Sequence, residues 1–176
     1  MVLNMKRILI LTLLAGPVMA SCGNKMGPEA YANEITNTFR KQQSKKHQLS
    51  IYGKGGSMPD DVRSLYVYLE SDRKLDLPEA RKLIVQVVLD FLQAINTDAR
   101  LRQYARNWPF NETNVRVGIR FSQRNKYMDP PYIAYVFILD GTIYYEQNNP
   151  QTDRFVDFHK EPYSEAVRIV NGTAAE

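Results

Sequence analysis

The sequence predicts an α+β fold: an antiparallel sheet of four to six strands, with a long amphipathic helix packed on one face. Three observations support this prediction. Apolar residues recur at helical spacing between Leu83 and Ile95. Apolar and polar residues alternate after Val62 and again after Val115, as in half-buried strands. Asp140-Gly141 separates two further apolar segments, which is typical of a two-residue type I′ hairpin.

The first elements are a helix and a short strand. A narrow apolar stripe of Tyr31, Ile35 and Phe39, with Gln42 at its end, predicts a helix from Glu29 to about Lys46. Because the stripe is narrow, we expect this helix to pack loosely on the body or to belong to the tether before it. The next segment, 48–52, predicts a short strand, and the glycine-rich segment 53–60 predicts a turn or loop.

A half-buried strand is predicted over 62–70, and the long helix follows it. Asp76 or Leu77 precedes Pro78 and Glu79, which is typical of a capped helix start. Val85 and Leu89 widen the apolar stripe, so we expect the helix to lie deep against a sheet. The other side is polar, with Arg81, Lys82, Gln86, Asp90 and Gln93. Asn96 to Asp98 ends the helix, and a short helix through Tyr104 follows.

The second half of the chain predicts further strands. They cover 115–122, 132–139, 142–146 and 155–159, and a last helix covers 162–170. The Asp140-Gly141 turn pairs Ile138 with Ile143, Val136 with Tyr145 and Phe137 with Tyr144. Both faces of this hairpin are apolar, so we expect each face to be covered.

Composition excludes several classes of protein. Hydrophobic residues make up 44% of the 176 residues and charged residues 24%, the balance of a globular protein. The densest basic run is Arg40, Lys41, Lys45, Lys46 and His47. It is typical of a solvated helix end, and we expect no nucleic-acid partner. His47 and His159 lie far apart without a companion at ligand spacing, so we expect no metal and no cofactor.

The first residues form an export signal. Lys6 and Arg7 precede an apolar run from Ile8 to Ala15, and small residues follow before Cys22. The run is too short to span about 30 Å of hydrocarbon as a helix. Because Cys22 is the only cysteine, no disulfide within the chain is possible.

The segment 18–22, VMASC, resembles the lipobox of bacterial lipoproteins. An apolar residue stands three positions before the cysteine, although it is Met19 rather than the preferred leucine, and two small residues follow it. The resemblance implies cleavage before Cys22, lipid on its sulfur and a chain attached to a membrane of the cell envelope. Gly23, where an aspartate often favours the inner membrane, favours the outer membrane. The body is similar to small lipoproteins of unassigned function, and it indicates no closer family.

These features divide the chain into parts and reduce its net charge. We expect a signal peptide at 1–21, a lipidated tether at 22–28, a single α+β domain at 29–170 and a flexible tail at 171–176. Lys6 and Arg7 leave with the leader, so the remaining 155 residues carry 21 basic and 19 acidic side chains. A chain of this size can bury a hydrophobic core without a disulfide or a bound metal.

No catalytic motif is recognisable. The chain contains no G-x-S-x-G segment, the motif of an α/β-hydrolase nucleophile. Two carboxylate pairs could serve glycoside chemistry on paper. They are Asp60 with Asp61 and Glu161 with Glu165. Neighbouring acids are common on surfaces, and we do not expect catalysis at either pair.

The candidate partner-binding residues are Tyr66, Tyr68, Arg116 and Arg120. Strand alternation turns all four away from the core. Tyrosine and arginine are enriched at recognition surfaces, although tyrosine also favours strands and exposed arginines are ordinary. The four residues can form one patch only if their two strands are neighbours. An intervening strand would replace the patch with a tyrosine-rich surface from residues 133 to 145.

The sequence therefore favours a non-enzymatic binding or assembly protein of the cell envelope, tethered by lipid and presenting its sheet to an envelope protein. The alternative is a small envelope hydrolase with an unrecognised site. A deep pocket with convergent titratable groups would favour that alternative.

Overall fold

The computed structural model describes residues 27–172. The predicted signal peptide, Cys22 and the last four residues lie outside this range. Within it the helices are α1 Pro28–His47, α2 Leu77–Asn96, α3 Ala99–Arg102 and α4 Tyr163–Val170, with a short 3-10 helix at Glu112–Asn114. The strands are β1 Ser50–Ser57, β2 Ser64–Ser71, β3 Val115–Gln123, β4 Lys126–Tyr127, β5 Tyr135–Leu139, β6 Thr142–Asn149 and β7 Arg154–Pro162.

The α+β class is confirmed, but the predicted strand count and the wholly antiparallel pairing are wrong. The described residues form one seven-stranded sheet in the order β1-β2-β3-β5-β6-β7, with β4 paired to β3. Strands β2 and β3 pair in parallel, and every other pair is antiparallel. The long helix α2 connects β2 to β3 and returns the chain to the end where β2 began. A parallel neighbour requires a crossover of this kind.

The core lies on the inward faces of the strands. In the β2–β3 register Leu65 lies beside Val115, Val67 beside Val117 and Leu69 beside Ile119, and all six side chains are buried. The buried side chains of α1, α2 and α4 belong to the same hydrophobic cluster. Strand alternation therefore predicted the inward faces of both strands correctly.

The start of α2 is confirmed. Asp76 is the N-cap: its carboxylate accepts a hydrogen bond from the backbone N–H of Glu79 at 2.9 Å. The Glu79 carboxylate in turn accepts one from the N–H of Asp76 at 3.1 Å. This reciprocal capping box satisfies two of the N–H groups that a helix start leaves free.

The predicted faces of α2 are wrong at two positions. Leu89, expected to be inward, is 45% exposed, whereas Asp90, expected to be outward, is 5% exposed. The cause is α1, which lies against this side of α2. Gln43 donates to the Asp90 carboxylate at 3.0 Å, and Lys46 donates to it at 2.8 Å. A hydrogen-bonded carboxylate is therefore buried between α1 and α2, at a position that periodicity alone predicts to face solvent.

The expectation that the first helix packs loosely is also wrong. Phe39 is fully buried, and its ring centroid lies 4.8 Å from that of Phe91 on α2. Thr36 and Gln43 are buried as well, whereas Gln42 is exposed. The short side chain of Thr36 and the amide side chain of Gln43 widen the buried face of α1. Neither is apolar, so the pattern of apolar residues does not predict them on this face.

The glycine-rich segment is mostly strand rather than loop. Strand β1 continues through Ser57, with Gly53 opposite Tyr68 and Gly55 opposite Tyr66. A Cβ atom on Gly53 would lie 3.1 Å from Cδ2 of Tyr68. The glycine therefore leaves room for the tyrosine ring of the neighbouring strand, a close approach that the turn interpretation overlooked.

The hairpin prediction is confirmed. Asp140 and Gly141 have φ values of 48° and 77°, as a type I′ turn requires. The register pairs Ile138 with Ile143 and Phe137 with Tyr144, and it also pairs Val136 with Tyr145. This register turns Phe137 and Tyr144 away from the core, toward the surface described next.

Candidate partner-binding surface

The four predicted site residues lie on one surface because β2 and β3 are neighbours. In their register Tyr66 lies beside Arg116, Tyr68 beside Gly118 and Glu70 beside Arg120. All of them point away from the buried core. Their surface continues across the sheet as a set of half-exposed rings, called here the aromatic face: Tyr52, Tyr66, Tyr68, Tyr127, Tyr135, Phe137, Tyr144 and Phe155.

The centre of the aromatic face is a row of contacting rings. Phe137 and Tyr144 stack with centroids 4.9 Å apart and planes inclined by 10°. Tyr135 stacks on Phe137 at 5.2 Å and on Phe155 at 5.5 Å. Aromatic pairs at such distances add stability beyond their buried area. The rings therefore support one another, and among residues 27–172 no helix covers them, contrary to the expectation that both hairpin faces are covered.

Part of this face differs from the prediction. The tyrosine-rich surface of residues 133–145 is predicted only as a replacement for the Tyr/Arg patch, whereas the sheet contains both side by side. The signal was present, since the hairpin register already placed Phe137 opposite Tyr144. The strand order, with β5 beside β3, was the missing information.

Arg120 is held within the face. Its guanidinium donates to Glu70 at 3.0 Å, and its Cζ lies 4.0 Å from the ring centroid of Tyr52. Ser122 donates to the second oxygen of Glu70 at 2.6 Å. The hydrogen bonds from Arg120 and Ser122 hold the pKa of Glu70 below its usual range. Arg120 is thus already paired, and it contributes to the shape of the surface more than to its charge.

Arg116 is differently placed. Its Cζ lies 4.9 Å from the ring centroid of Tyr66, and the side chain is exposed. Lys160, beside Tyr144 in the β6–β7 register, is exposed too. Neither cation forms an ion pair with a residue between 27 and 172. The aromatic row is therefore flanked by two uncompensated positive charges.

Two acidic side chains also belong to the face. Glu146 lies beside Asp157 in the register of β6 and β7. Burial and the neighbouring Asp157 carboxylate raise the pKa of Glu146 above its usual value. The aromatic face therefore carries two acidic side chains beside its rings, two residues along β6 from the pair of Tyr144 and Lys160.

A shallow depression of about 220 Å³ lies in the face, between Tyr68, Arg116, Tyr135 and Phe137. Most of its lining is apolar, and Arg116 is its only charged side chain. It is smaller than ordinary small-molecule sites, which have about 300–1,000 Å³. One apolar side chain of a partner fits into it, and the Arg116 guanidinium beside it can donate hydrogen bonds to a carboxylate.

The carboxylate pairs considered from the sequence have separate partners. Glu161 is buried and accepts hydrogen bonds from Arg81 at 2.7 Å and from the Tyr145 hydroxyl at 2.6 Å. Glu165 accepts one from Arg168 at 3.0 Å. Asp61 accepts one from Arg63 at 2.7 Å. Glu161, Glu165 and Asp61 thus each form an ion pair with a different arginine.

Three further searches gave no positive result. Within residues 27–172 no group of three His, Cys, Asp or Glu side chains is placed to hold a metal ion. No helix in that range is long and apolar enough to cross a membrane. Comparison with protein-family models, curated proteins and solved structures gave no match, so the site is interpreted from its own geometry.

Proposed function

We propose that this chain is a non-enzymatic binding or assembly protein of the cell envelope, held at a membrane by lipid on Cys22. Its aromatic face binds a protein partner. The observation that carries the proposal is the continuous row of rings flanked by Arg116 and Lys160, two cations without carboxylate partners in the described range. In the same proposal, the long amphipathic helix α2 packs on one face of the sheet and leaves the other free.

The composition of the aromatic face supports a protein partner. Tyrosine, phenylalanine and arginine supply much of the binding energy at protein interfaces, because each buries a large area. Their stacking also fixes them before binding, which lowers the conformational entropy that binding costs. Tyr52 at the edge of the face remains 46% exposed. Such rings gain most from a partner that excludes water.

Charge complementarity specifies the partner further. Arg116 and Lys160 favour carboxylates on the partner, and the rings between them favour apolar side chains. Glu146 and Asp157 disfavour acidic side chains beside them, so the carboxylates of a partner are expected at Arg116 and Lys160. The partner is therefore an envelope protein that presents apolar side chains together with aspartate or glutamate.

Site-specific crosslinking in cells tests this proposal. A photoreactive amino acid replaces Arg116 in one strain and Leu89, on the exposed side of α2, in another. We expect a protein crosslinked from position 116 and absent from position 89. That protein is then purified, and its binding to the full chain is measured directly. Identical crosslinking from both positions would contradict a specific role for the aromatic face.

A further inference from the structure

A second cluster of basic side chains lies around the helices and shares no residue with the aromatic face. A cavity of about 410 Å³ opens between the end of α1, the β2–α2 connection and the first turns of α2. Its charged lining consists of Lys46, His47, Arg73, Lys82 and Glu79. Lys46 and His47 are the last residues of the basic run that begins at Arg40 and that the sequence predicts to be a solvated helix end.

The positive charge of this cavity is only partly compensated. Lys46 is paired with the buried carboxylate of Asp90 at 2.8 Å. Glu79 accepts the backbone N–H of Asp76 in the capping box. Arg73 and Lys82 are exposed, and neither pairs with a carboxylate among residues 27–172. Two cations therefore face the cavity without an ion pair, and the Glu79 carboxylate is the one acidic group among the residues that line it.

His47 supplies an independent observation. Its Nε2 atom is buried and has no hydrogen-bond partner within the described residues. The nearest carboxylate oxygen, on Asp90, is 3.9 Å away, too far for a hydrogen bond. Burial and the charges of Lys46 and Arg73 lower the pKa of His47, against the opposing effect of Asp90. Buried polar atoms are normally satisfied, and a ligand in this cavity would satisfy Nε2.

We propose that this cavity binds a phosphate-bearing anion. Arg73 offers planar paired donors and Lys82 a mobile point charge, the two modes by which proteins hold phosphate oxygens. His47 lines the cavity beside them, and its imidazole can supply a third donor. Three donors on separate elements suit the several oxygens of a phosphate. The phosphate can belong to a free phosphate ester or to a lipid headgroup, since both present the same oxygens.

The test uses the full chain in a nonionic detergent, with binding measured by titration calorimetry and by the ¹⁵N resonances of the His47 ring. The probes are inorganic phosphate and monomeric dihexanoylphosphatidylglycerol. We expect binding of at least one probe together with a shift of the His47 resonances. Arg73→Gln with Lys82→Gln should weaken binding at least tenfold. Both side chains are exposed, so the melting temperature should change little.

The matched control is Lys41→Gln with Lys45→Gln. It removes the same charge from exposed positions on α1 that do not line the cavity. This variant should keep the affinity of the unaltered chain. Tighter binding of the lipid than of inorganic phosphate would identify a headgroup as the source, and the reverse a free phosphate. Binding of neither probe, or equal weakening by both double variants, would overturn the proposal.

Discussion

Gly118 and Tyr135 are fitted to each other at the centre of the aromatic face. A Cβ atom on Gly118 would lie 3.0 Å from Cζ of Tyr135, closer still to its hydroxyl oxygen, and 3.1 Å from Cδ1 of Tyr68. Such distances are shorter than ordinary carbon contacts. Because Gly118 has no side chain, the rings of Tyr135 and Tyr68, from the two neighbouring strands, can meet over the backbone of β3.

The first prediction concerns this contact. Gly118→Ala should displace the ring of Tyr135, which Phe137 and Phe155 hold from its sides. We expect the free energy of unfolding to fall by about 1–3 kcal/mol, as for other overpacked sites. Denaturant titration measures the change. Gly55→Ala is the control, since its Cβ atom would lie 3.5 Å from Tyr66, an ordinary contact. An equal loss in both variants would contradict the close fit at Gly118.

The relation between sequence and structure differs from element to element. Strand alternation predicted the inward residues of β2 and β3, and the Asp140-Gly141 turn predicted the hairpin register, because both patterns depend on local backbone geometry. The β2–β3 pairing is a long-range property and follows from the path of α2, which no local pattern contains. Individual residues of the aromatic face, such as Tyr66 and Tyr68, could therefore be predicted, but its continuity over residues from six strands could not.

The burial of polar side chains was the second feature that the sequence pattern did not predict. Periodicity predicted Asp90 on the solvent side of α2, yet its carboxylate binds Gln43, Lys46 and Gln86. A hydrogen-bonded acid in a helix interface has no apolar signature in the sequence. The cavity near it could not be predicted for a different reason: its basic side chains come from three separate parts of the chain.

The second prediction concerns Asp90 and pH. Burial alone would raise the pKa of this carboxyl, but hydrogen bonds from Lys46, Gln43 and Gln86 bring it below its usual value. A lowered pKa means that the ionised group stabilises the fold above about pH 4, its ordinary value. This stabilisation is lost as the pH falls through the lower, folded-state pKa.

Asp90→Asn should therefore lower the free energy of unfolding at neutral pH by about 1–3 kcal/mol. The variant should also lose less stability than the unaltered chain on acidification below pH 4. Urea titrations at several pH values measure both effects. The exposed Asp60, as Asp60→Asn, serves as the control and should change little. Parallel pH profiles for the chain and Asp90→Asn would contradict the assignment.

The third prediction concerns the buried Glu161. The Tyr145 hydroxyl donates to its carboxylate at 2.6 Å, and Arg81 donates to it at 2.7 Å. Tyr145→Phe leaves that carboxylate without one donor, and we expect a loss of about 1.5–3 kcal/mol in the free energy of unfolding. The neighbouring Tyr144 makes no hydrogen bond through its hydroxyl within the described residues. Tyr144→Phe should therefore stay within about 0.5 kcal/mol. Thermal or urea unfolding that ranks the two variants equally would exclude this role for Tyr145.

The fourth prediction concerns the anchor. The VMASC segment implies lipid on Cys22, and stable attachment needs at least two acyl chains. Cells grown with labelled palmitate should label the unaltered chain but not Cys22→Ser. The variant should also leave the detergent phase after phase separation. Equal labelling of both proteins would exclude lipidation at this cysteine.

The aromatic face itself is best tested at Tyr66 and Arg116. Tyr68 lies over Gly118, and Arg120 is paired with Glu70, so changes at those two residues would alter the sheet as well as its surface. Tyr66 and Arg116 contact each other at the exposed side of the face. Removing both side chains changes the surface and leaves the core residues intact.

The decisive measurement is the affinity of the purified, crosslinked partner for three forms of the full chain by titration calorimetry. Tyr66→Ala with Arg116→Ala should weaken binding by more than about 2 kcal/mol, roughly 30-fold, at a nearly unchanged melting temperature. Leu89→Ala with Arg102→Ala removes an exposed apolar and an exposed cationic residue from the helices. This control should bind like the unaltered chain. Equal affinity of all three forms, each fully folded, would contradict the assignment of the aromatic face as the binding surface.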